Sequence, residues 1–361
     1  MKHHLNTLFI TTQGAYLRKQ GDAIVVRVEK KDVFRVPMIN VGSVICFGRV
    51  GASPYLLGAC GEKGISVSLM TERGRFLAAV NGFTPGNVLL RREQYRWSDC
   101  PQRSGEIARA CVVGKLANYR TILRRAARES DDELAKDRLD NAALRISTTT
   151  KRLQRDDANQ SDGGEIIDAG DQEANRVDFV RGIEGDASRV YFEVFNDLIR
   201  GDKEAFSFTK RSRRPPLDRI NALLSFLYSV LANDVRSACE ASGLDAAVGF
   251  LHRDRPGRPG LALDLMEELR PAIADRVALS LVNRRQLKAS DFEVQPTGAV
   301  WMTDKARKTV LAEYQKRKQE AIRHPFLDEK MSLGLVPHIQ ARLLARHLRG
   351  DLDAYPPFNW K

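Results

Sequence analysis

The sequence holds no C-x-x-C pair. Its five cysteines, Cys46, Cys60, Cys100, Cys111 and Cys239, are odd in number and widely spaced. That argues against a zinc ribbon, an iron–sulfur cluster or a disulfide framework, and suits buried thiols in a reducing cytoplasm. No apolar run approaches the roughly 18–20 residues of a bilayer crossing. The opening MKHHLNTLFITTQGAYLRKQ lacks the hydrophobic region and cleavage site of a signal peptide, so a cytoplasmic location is expected. Walker A, G-x-G-x-x-G, G-x-S-x-G and H-E-x-x-H are all missing, which removes the enzyme classes they mark. Acidic residues are in the minority: 46 Asp and Glu face 58 Lys and Arg, a net charge of +12 over 361 residues. The excess points to a polyanionic partner and says nothing about fold.

What is present is enough apolar residue, 43%, to bury a sizeable core, in a chain long enough for two or three domains. Residues 1–82 read as a small β domain. Leu5–Thr11, Ala23–Val28, Val33–Pro37, Ser43–Phe47, Ser66–Met70 and Phe76–Val80 are short and rich in β-branched and aromatic residues. A turn at Gln20-Gly21-Asp22 and a short helix over Pro54–Glu62 interrupt them. Residues 83–87 form a turn-rich linker.

Over residues 88–361 the hydrophobic period changes to that of helices. Ile107–Ala127 sets Ile107, Cys111, Val112, Leu116, Tyr119, Ile122 and Leu123 on one face; Asp131–Leu153 is seamed by Leu134, Leu139, Leu144, Ile146 and Leu153. Asp156–Ala174 reads as an acidic loop, Asn175–Arg200 and Leu217–Ser242 as long helices, and Asp254–Gly260 as an obligate loop. Leu261–Glu268, Ala274–Asn283, Asp304–Arg323 and Leu335–Leu348 follow as helices, with a β-hairpin over Phe292–Met302. The expected class is α+β: a small N-terminal β domain joined to a larger C-terminal α-helical domain that carries the metal site.

The positive charge gathers in the helical part. Arg211, Arg213 and Arg214 precede Pro215-Pro216, Lys316, Arg317 and Lys318 lie on a later helix, and further clusters sit at Arg120–Arg128 and Arg342–Arg349. One such cluster is as readily a solvated helix face; several around one domain favour nucleic acid, since each cation on a phosphate releases a counterion. Four residues then stand in unusual settings. Glu184 lies mid-helix between Gly182 and Gly185, which suggests a close approach to the backbone, against the alternative of a plain surface glutamate. His252 ends an apolar run, where a satisfied core histidine is the bland reading. Asp264 and Glu267, three apart on an apolar helix, need a partner: a divalent cation, or a nearby arginine. Two or three carboxylates with one imidazole suit Mg²⁺ or Mn²⁺, which beside phosphate-binding arginines would serve phosphodiester chemistry.

Arg181-Gly182-Ile183-Glu184-Gly185 with Tyr191-Phe192, Arg213-Arg214-Pro215-Pro216 with Asn221–Tyr228, Gly249-Phe250-Leu251-His252, and Leu263–Glu268 together resemble the CRISPR-associated integrase, the metal-dependent endonuclease of the spacer-acquisition module. His252–Pro259 and Trp360-Lys361 are similar to its I-C subtype. The resemblance implies metal ligands at Glu184, His252 and Glu267, with Asp264 a further catalytic acid beside them. It implies a homodimer formed through the β domains and a small ferredoxin-like partner dimer between two such dimers. It implies short duplex DNA and a repeat array as substrates, and a nuclease that trims the fragment ends. The reaction implied is attack of a fragment's 3′-hydroxyl on a phosphodiester of the repeat array. Two departures accompany it: Gly260 stands where a capping Ser is expected, and the acidic loop is longer. The alternatives are a non-catalytic DNA-binding scaffold and an autonomous metal-dependent nuclease acting on branched DNA in repair.

Overall fold

A computed structural model describes residues 6–82, 87–161 and 169–360, with the helical turns 156–161 and 169–175 described by backbone alone. The protein is α+β. Eight strands and one helix come first: β1 (Thr7–Ile10), β2 (Tyr16–Gln20), β3 (Ala23–Val28), β4 (Lys31–Pro37), β5 (Ser43–Phe47), β6 (Gly51–Ala52), α1 (Pro54–Glu62), β7 (Ser66–Met70) and β8 (Phe76–Val80). They make two four-stranded sheets, ordered β1-β5-β7-β8 and β4-β3-β2-β6. In the first, β1, β5 and β7 run parallel and β8 antiparallel. The short crossover α1 starts on Ser53, whose side chain accepts from the Leu56 N–H, with Pro54 in its first turn. The inward residues Leu17, Ile24, Val44, Cys46, Leu56, Cys60 and Val67 form the core of this part. The turn between β2 and β3 uses Gly21 at φ +57°, a backbone state that costs glycine nothing.

The helical part follows with α2 (Val88–Asp99), α3 (Pro101–Arg128), α4 (Glu133–Ser161), α5 (Ala169–Glu193), α6 (Arg219–Ala241), α7 (Gly260–Leu269) and α8 (Arg276–Asn283). The hairpin β9 (Phe292–Val294) and β10 (Val300–Met302), α9 (Asp304–Gln319), the ribbon β11 (Ala321–Arg323) and β12 (Lys330–Ser332), and α10 (Val336–Leu348) complete it. No helix among the described residues is long and apolar enough to cross a membrane.

Several sequence expectations change. The Asp156–Ala174 segment is not all loop: α4 continues to Ser161 and α5 begins at Ala169, with Gly163-Gly164 outside the described residues. The linker 83–87 lies outside them too, apart from Asn87. The Asn175–Arg200 helix stops at Glu193, and a 3₁₀ turn over Phe195–Leu198 follows. In α4 the seam is Ala135, Leu139, Ala142, Ala143, Ile146 and Leu153, while Leu134 and Leu144 are exposed; small alanines, not the two leucines, face the neighbouring helices.

The two parts share a core. The Phe47 ring lies 5.7 Å from that of Phe226, Ser68 Oγ donates to Asn233 Oδ1 at 2.8 Å, and Lys318 Nζ reaches both Thr7 Oγ1 (3.0 Å) and Asp234 Oδ2 (2.8 Å). Between α7 and α8 the chain makes a π turn over Pro271–Asp275. Pro271 has no N–H to give to the ladder, and the register slips so that the Asp275 N–H donates to Arg270 O at 3.0 Å. Such bulges turn side chains out of helical phase, here just beyond Glu267 and Arg270.

Candidate active site

Two glycines set the first piece of geometry. At Gly260 a Cβ would stand 2.6 Å from Ala247 O, and at Gly249 one would stand 2.7 Å from Gly260 C and 2.8 Å from Asp264 Oδ2. The missing Ser cap at position 260 therefore has a reason: the start of α7 lies against the 247–249 backbone, and a side chain there would part them. That contact brings the fully buried Asp264 under the next turn of chain. Its Oδ2 accepts from the Phe250 N–H (2.5 Å) and the Leu251 N–H (2.9 Å), and its Oδ1 from the His252 N–H (3.0 Å). Oδ1 also meets His252 Nδ1 at 2.6 Å. A carboxylate only accepts, so Nδ1 carries the proton and Nε2 presents its lone pair. Nε2 faces Glu267 Oε1 at 3.9 Å, beyond hydrogen-bonding distance.

Glu267 lies one turn further along α7 and is 2% exposed. Its carboxylate meets Arg270 Nη1 at 2.8 Å and Lys115 Nζ at 2.6 Å. Burial works against its charge, but Arg270, then Lys115, outweigh it and hold the carboxyl down at about 2. Glu184, on α5, also pairs with Lys115 and accepts from Ser188 Oγ at 2.8 Å. Lys115 comes from α3, where Gly114 allows the approach: a Cβ there would be 3.0 Å from Glu268 Cβ and from Pro357 Cβ. Glu184, His252 and Glu267 open on one cleft of about 410 Å³, walled by Arg181, Arg213, Arg253, Arg255, Arg258 and Arg270.

Behind the cleft, Tyr119 and Tyr191 stack with ring centres 3.7 Å apart, and the Tyr191 and Tyr228 hydroxyls donate to the two oxygens of Asp275 at 3.2 and 2.7 Å. Burial pushes the Asp275 carboxyl up to about 6, against the pull of those hydroxyls. Glu268 faces the opposite way. It receives the Tyr355 hydroxyl, Gln340 Nε2 and the Phe358 N–H, and so ties residues 355–358 to α7. Burial raises its carboxyl to about 7, above the ordinary 4.5. A folded-state value above the unfolded one means that its stability contribution is complete below pH 4.5 and is lost as pH rises through about 7. The unfolding free energy of Glu268→Gln, whose amide stays neutral, should therefore fall less than the wild type's between pH 5 and 8, by up to about 3 kcal/mol in urea titrations; parallel pH profiles would refute this.

The structure thus gathers all four acidic and imidazole residues singled out from the sequence. Asp264 serves as the support of His252, while the other three line the cleft. The partner offered to Glu267 is the bland one, an arginine, together with a lysine that the sequence reading missed. Among the described residues no three His, Cys, Asp or Glu side chains already stand in metal-holding geometry, because Glu184 and Glu267 close on the Lys115 ammonium. The donor chemistry nonetheless fits a hard divalent ion: two carboxylates and a neutral imidazole nitrogen whose opposite nitrogen is fixed by a carboxylate. Gly182 and Gly185 meet nothing within 4 Å where a Cβ would stand, so no part of the described chain approaches them closely.

The basic residues divide differently from expectation. Arg213 and Arg214 are exposed, and so is Lys316. Arg211 is an internal tie: Nη1 donates to Asn221 Oδ1 and Ser212 O, both at 2.6 Å, and the guanidinium lies 5.3 Å from the Tyr228 ring centre. Arg317 is spent on Ala272 O, Glu320 and the face of Trp360, and the buried Lys318 on Asp234. These three are corrections. The α9 seam of Val310, Leu311 and Tyr314 turns Lys318, one helical turn past Tyr314, inward.

Comparison with known proteins decides the family. The profile of the CRISPR associated protein Cas1 family matches residues 8–316, and a CRISPR-associated endonuclease Cas1 of Chlorobaculum tepidum is 49% identical over 361 residues, 100% of both chains. The chain belongs to the Cas1 family. A second Cas1 endonuclease, from Rhodospirillum rubrum, is 51% identical, again over 100% of both chains. A Cas4 exonuclease/Cas1 endonuclease fusion of Geobacter sulfurreducens is 35% identical over 97% of this chain and 60% of the longer protein. The Cas1 fold extends to a casposase bound to its integration product, with a TM-score of 0.78 at 18% identity, covering 99% of this chain and 94% of that one. The chain accordingly takes its place among the Cas1 proteins, with its cleft on α5, α7 and the segment before α7.

Proposed function

We propose that the cleft performs DNA strand transfer with Glu184, His252 and Glu267 as ligands of Mg²⁺ or Mn²⁺. The observation that carries this reading is the Asp264-supported His252, whose free Nε2 faces Glu267 in a cleft walled by arginines. Bound there, the ion would polarise the target phosphodiester and stabilise charge on the departing oxygen. Arg213 and Arg258 hold and orient the phosphate, Arg270 holds Glu267 in place, and Asp264 keeps the imidazole in one tautomer. The 3′-hydroxyl oxygen of a short fragment loses its proton and forms its bond to phosphorus as the bond to the target strand's 3′ oxygen breaks; that oxygen takes up a proton from solvent and leaves as a hydroxyl, so the number of phosphodiesters is unchanged.

Assembly follows the same proposal. Two copies pair through the β part, where the edge strand β4 leaves Val33 and Phe34 exposed, and a small ferredoxin-like dimer bridges two such pairs in the cytoplasm. The fused exonuclease in the Geobacter sulfurreducens relative supports a trimming nuclease as a further partner. The sequence stretches His252–Pro259 and Trp360-Lys361 support the I-C subtype.

The test is transfer of a 3′-hydroxyl duplex into a repeat-bearing plasmid, with the small partner and Mg²⁺ or Mn²⁺ added. Loss of product in EDTA and in His252→Ala is expected; undiminished product in either sinks the assignment. For DNA binding, Arg213→Ala/Arg214→Ala should weaken affinity about tenfold or more and lower the salt slope by about 2. Arg317→Ala should leave that slope alone, since its charge is already committed within the fold. Equal slopes for wild type and the double variant would remove Arg213 and Arg214 from the interface.

A further inference from the structure

Lys115 is 1% exposed, and its ammonium lies between Glu184 and Glu267, the two carboxylates to which the proposed function gives the divalent ion. It reaches them from the middle of a buried stripe, one turn after Cys111 and one before Tyr119 on α3, with the Tyr119 ring centre 5.4 Å from Nζ. Nothing in helix formation asks for a lysine there. A methionine would fill the same space without the cost of desolvating a charge. Among the described residues it is the one cation within ion-pair distance of Glu184, whereas Glu267 also has Arg270. The charges of these four groups already balance: two carboxylates against one ammonium and one guanidinium. A divalent ion entering the set would add two positive charges and would need the oxygens that Lys115 holds.

We propose that Lys115 is the built-in counter-cation of the metal centre: it keeps Glu184 and Glu267 in register before the ion arrives and, by competing for the same oxygens, holds the ion's affinity down. The inference rests on the metal reading given under the proposed function, and it goes beyond that reading by assigning a residue that sets affinity without being a ligand. Lys115 acts here as a positioning residue, through the two glutamates. Its charge matters, not its exact shape.

The experiment is a Mn²⁺ titration of the full chain without DNA, read by the electron paramagnetic resonance signal of free Mn²⁺, for wild type, Lys115→Met, Lys115→Arg, Glu184→Gln and His252→Ala. Lys115→Met is expected to bind Mn²⁺ at least tenfold more tightly than wild type, and Lys115→Arg, which keeps the charge, to stay within about threefold of it. Loss of binding in Glu184→Gln and His252→Ala places the ion in the cleft. If those two lose the ion and Lys115→Met binds no more tightly than wild type, the Lys115 proposal is overturned while the metal reading stands. If neither wild type nor Lys115→Met binds Mn²⁺, the metal reading fails and this proposal fails with it. Should Lys115→Met not fold, a crystal of the wild-type chain soaked in Mn²⁺ decides the matter. The ammonium is expected to have left at least one of the two carboxylates, and an ion in the cleft with Lys115 still bridging both overturns the proposal.

Discussion

Glu267→Gln is expected to lose strand transfer by about 10³-fold or more, and to lose fold stability that Glu184→Gln keeps. The two glutamates share Lys115 but differ in surroundings. Glu267 is buried and holds two cations, Lys115 and Arg270, whose own side chains are 1% and 11% exposed. Neutralising it leaves a buried guanidinium facing an amide, and removing one partner from a buried ion pair costs about 3–5 kcal/mol. For a chain of 361 residues that is a fall in Tm of roughly 4–7 °C. Glu184 is 25% exposed. Its ion pair is partly screened, and Lys115 keeps Glu267 when it is gone, so Glu184→Gln should cost no more than about 1 kcal/mol, or roughly 1 °C. Thermal unfolding alongside a strand-transfer assay checks both quantities. Wild-type transfer by either variant would remove that glutamate from the site, and a larger loss of stability in Glu184→Gln would contradict the order of burial.

That contrast also shows where sequence reading reaches its limit. Glu184, His252, Asp264 and Glu267 were legible because each sits in a short local pattern, and carboxylates in an apolar helix demand a partner. The division into a β part and a helical part was legible from the change of hydrophobic period after the linker. Lys115 was not found, because its role depends on the approach of α3 to α7, an event of packing that Gly114 permits and no local pattern announces. The available signal was a lysine within the stripe Cys111, Val112, Leu116, Tyr119, a charge where only apolar residues belong. The run Lys316-Arg317-Lys318 misled for the complementary reason. Composition marks a basic stretch, but the helical phase relative to Val310 and Tyr314 decides which of its cations meet solvent, and only Lys316 among the three is exposed. The two leucines misplaced in α4 follow the same logic: large residues attract attention, yet closely packed helices prefer alanine at the contact.

Asp264→Asn is expected to cut activity by about 10²-fold or more although Asp264 touches neither the cleft nor, in the proposed site, the ion. Three backbone N–H groups and one imidazole converge on its two oxygens. An asparagine has one oxygen to offer. Its NH₂ group must then oppose either the paired N–H groups of Phe250 and Leu251 or the His252 edge. In the first case a buried donor loses its acceptor, at about 1–3 kcal/mol for each group left unpaired. In the second, the amide donates to Nδ1, which moves the imidazole proton to Nε2 and closes the lone pair that faces Glu267. Lengthening the side chain offers no rescue: at Gly249 a Cβ would already stand 2.8 Å from the Asp264 carboxylate, so Asp264→Glu should be at least as damaging. Nitrogen-15 chemical shifts of the His252 ring separate the two tautomers directly. A variant that keeps the Nδ1–H tautomer, wild-type stability and wild-type strand transfer would show that Asp264 does not orient the histidine. A shift of the proton to Nε2 with activity lost would show that orientation of one ring nitrogen, set from a fully buried residue, governs the chemistry of the cleft.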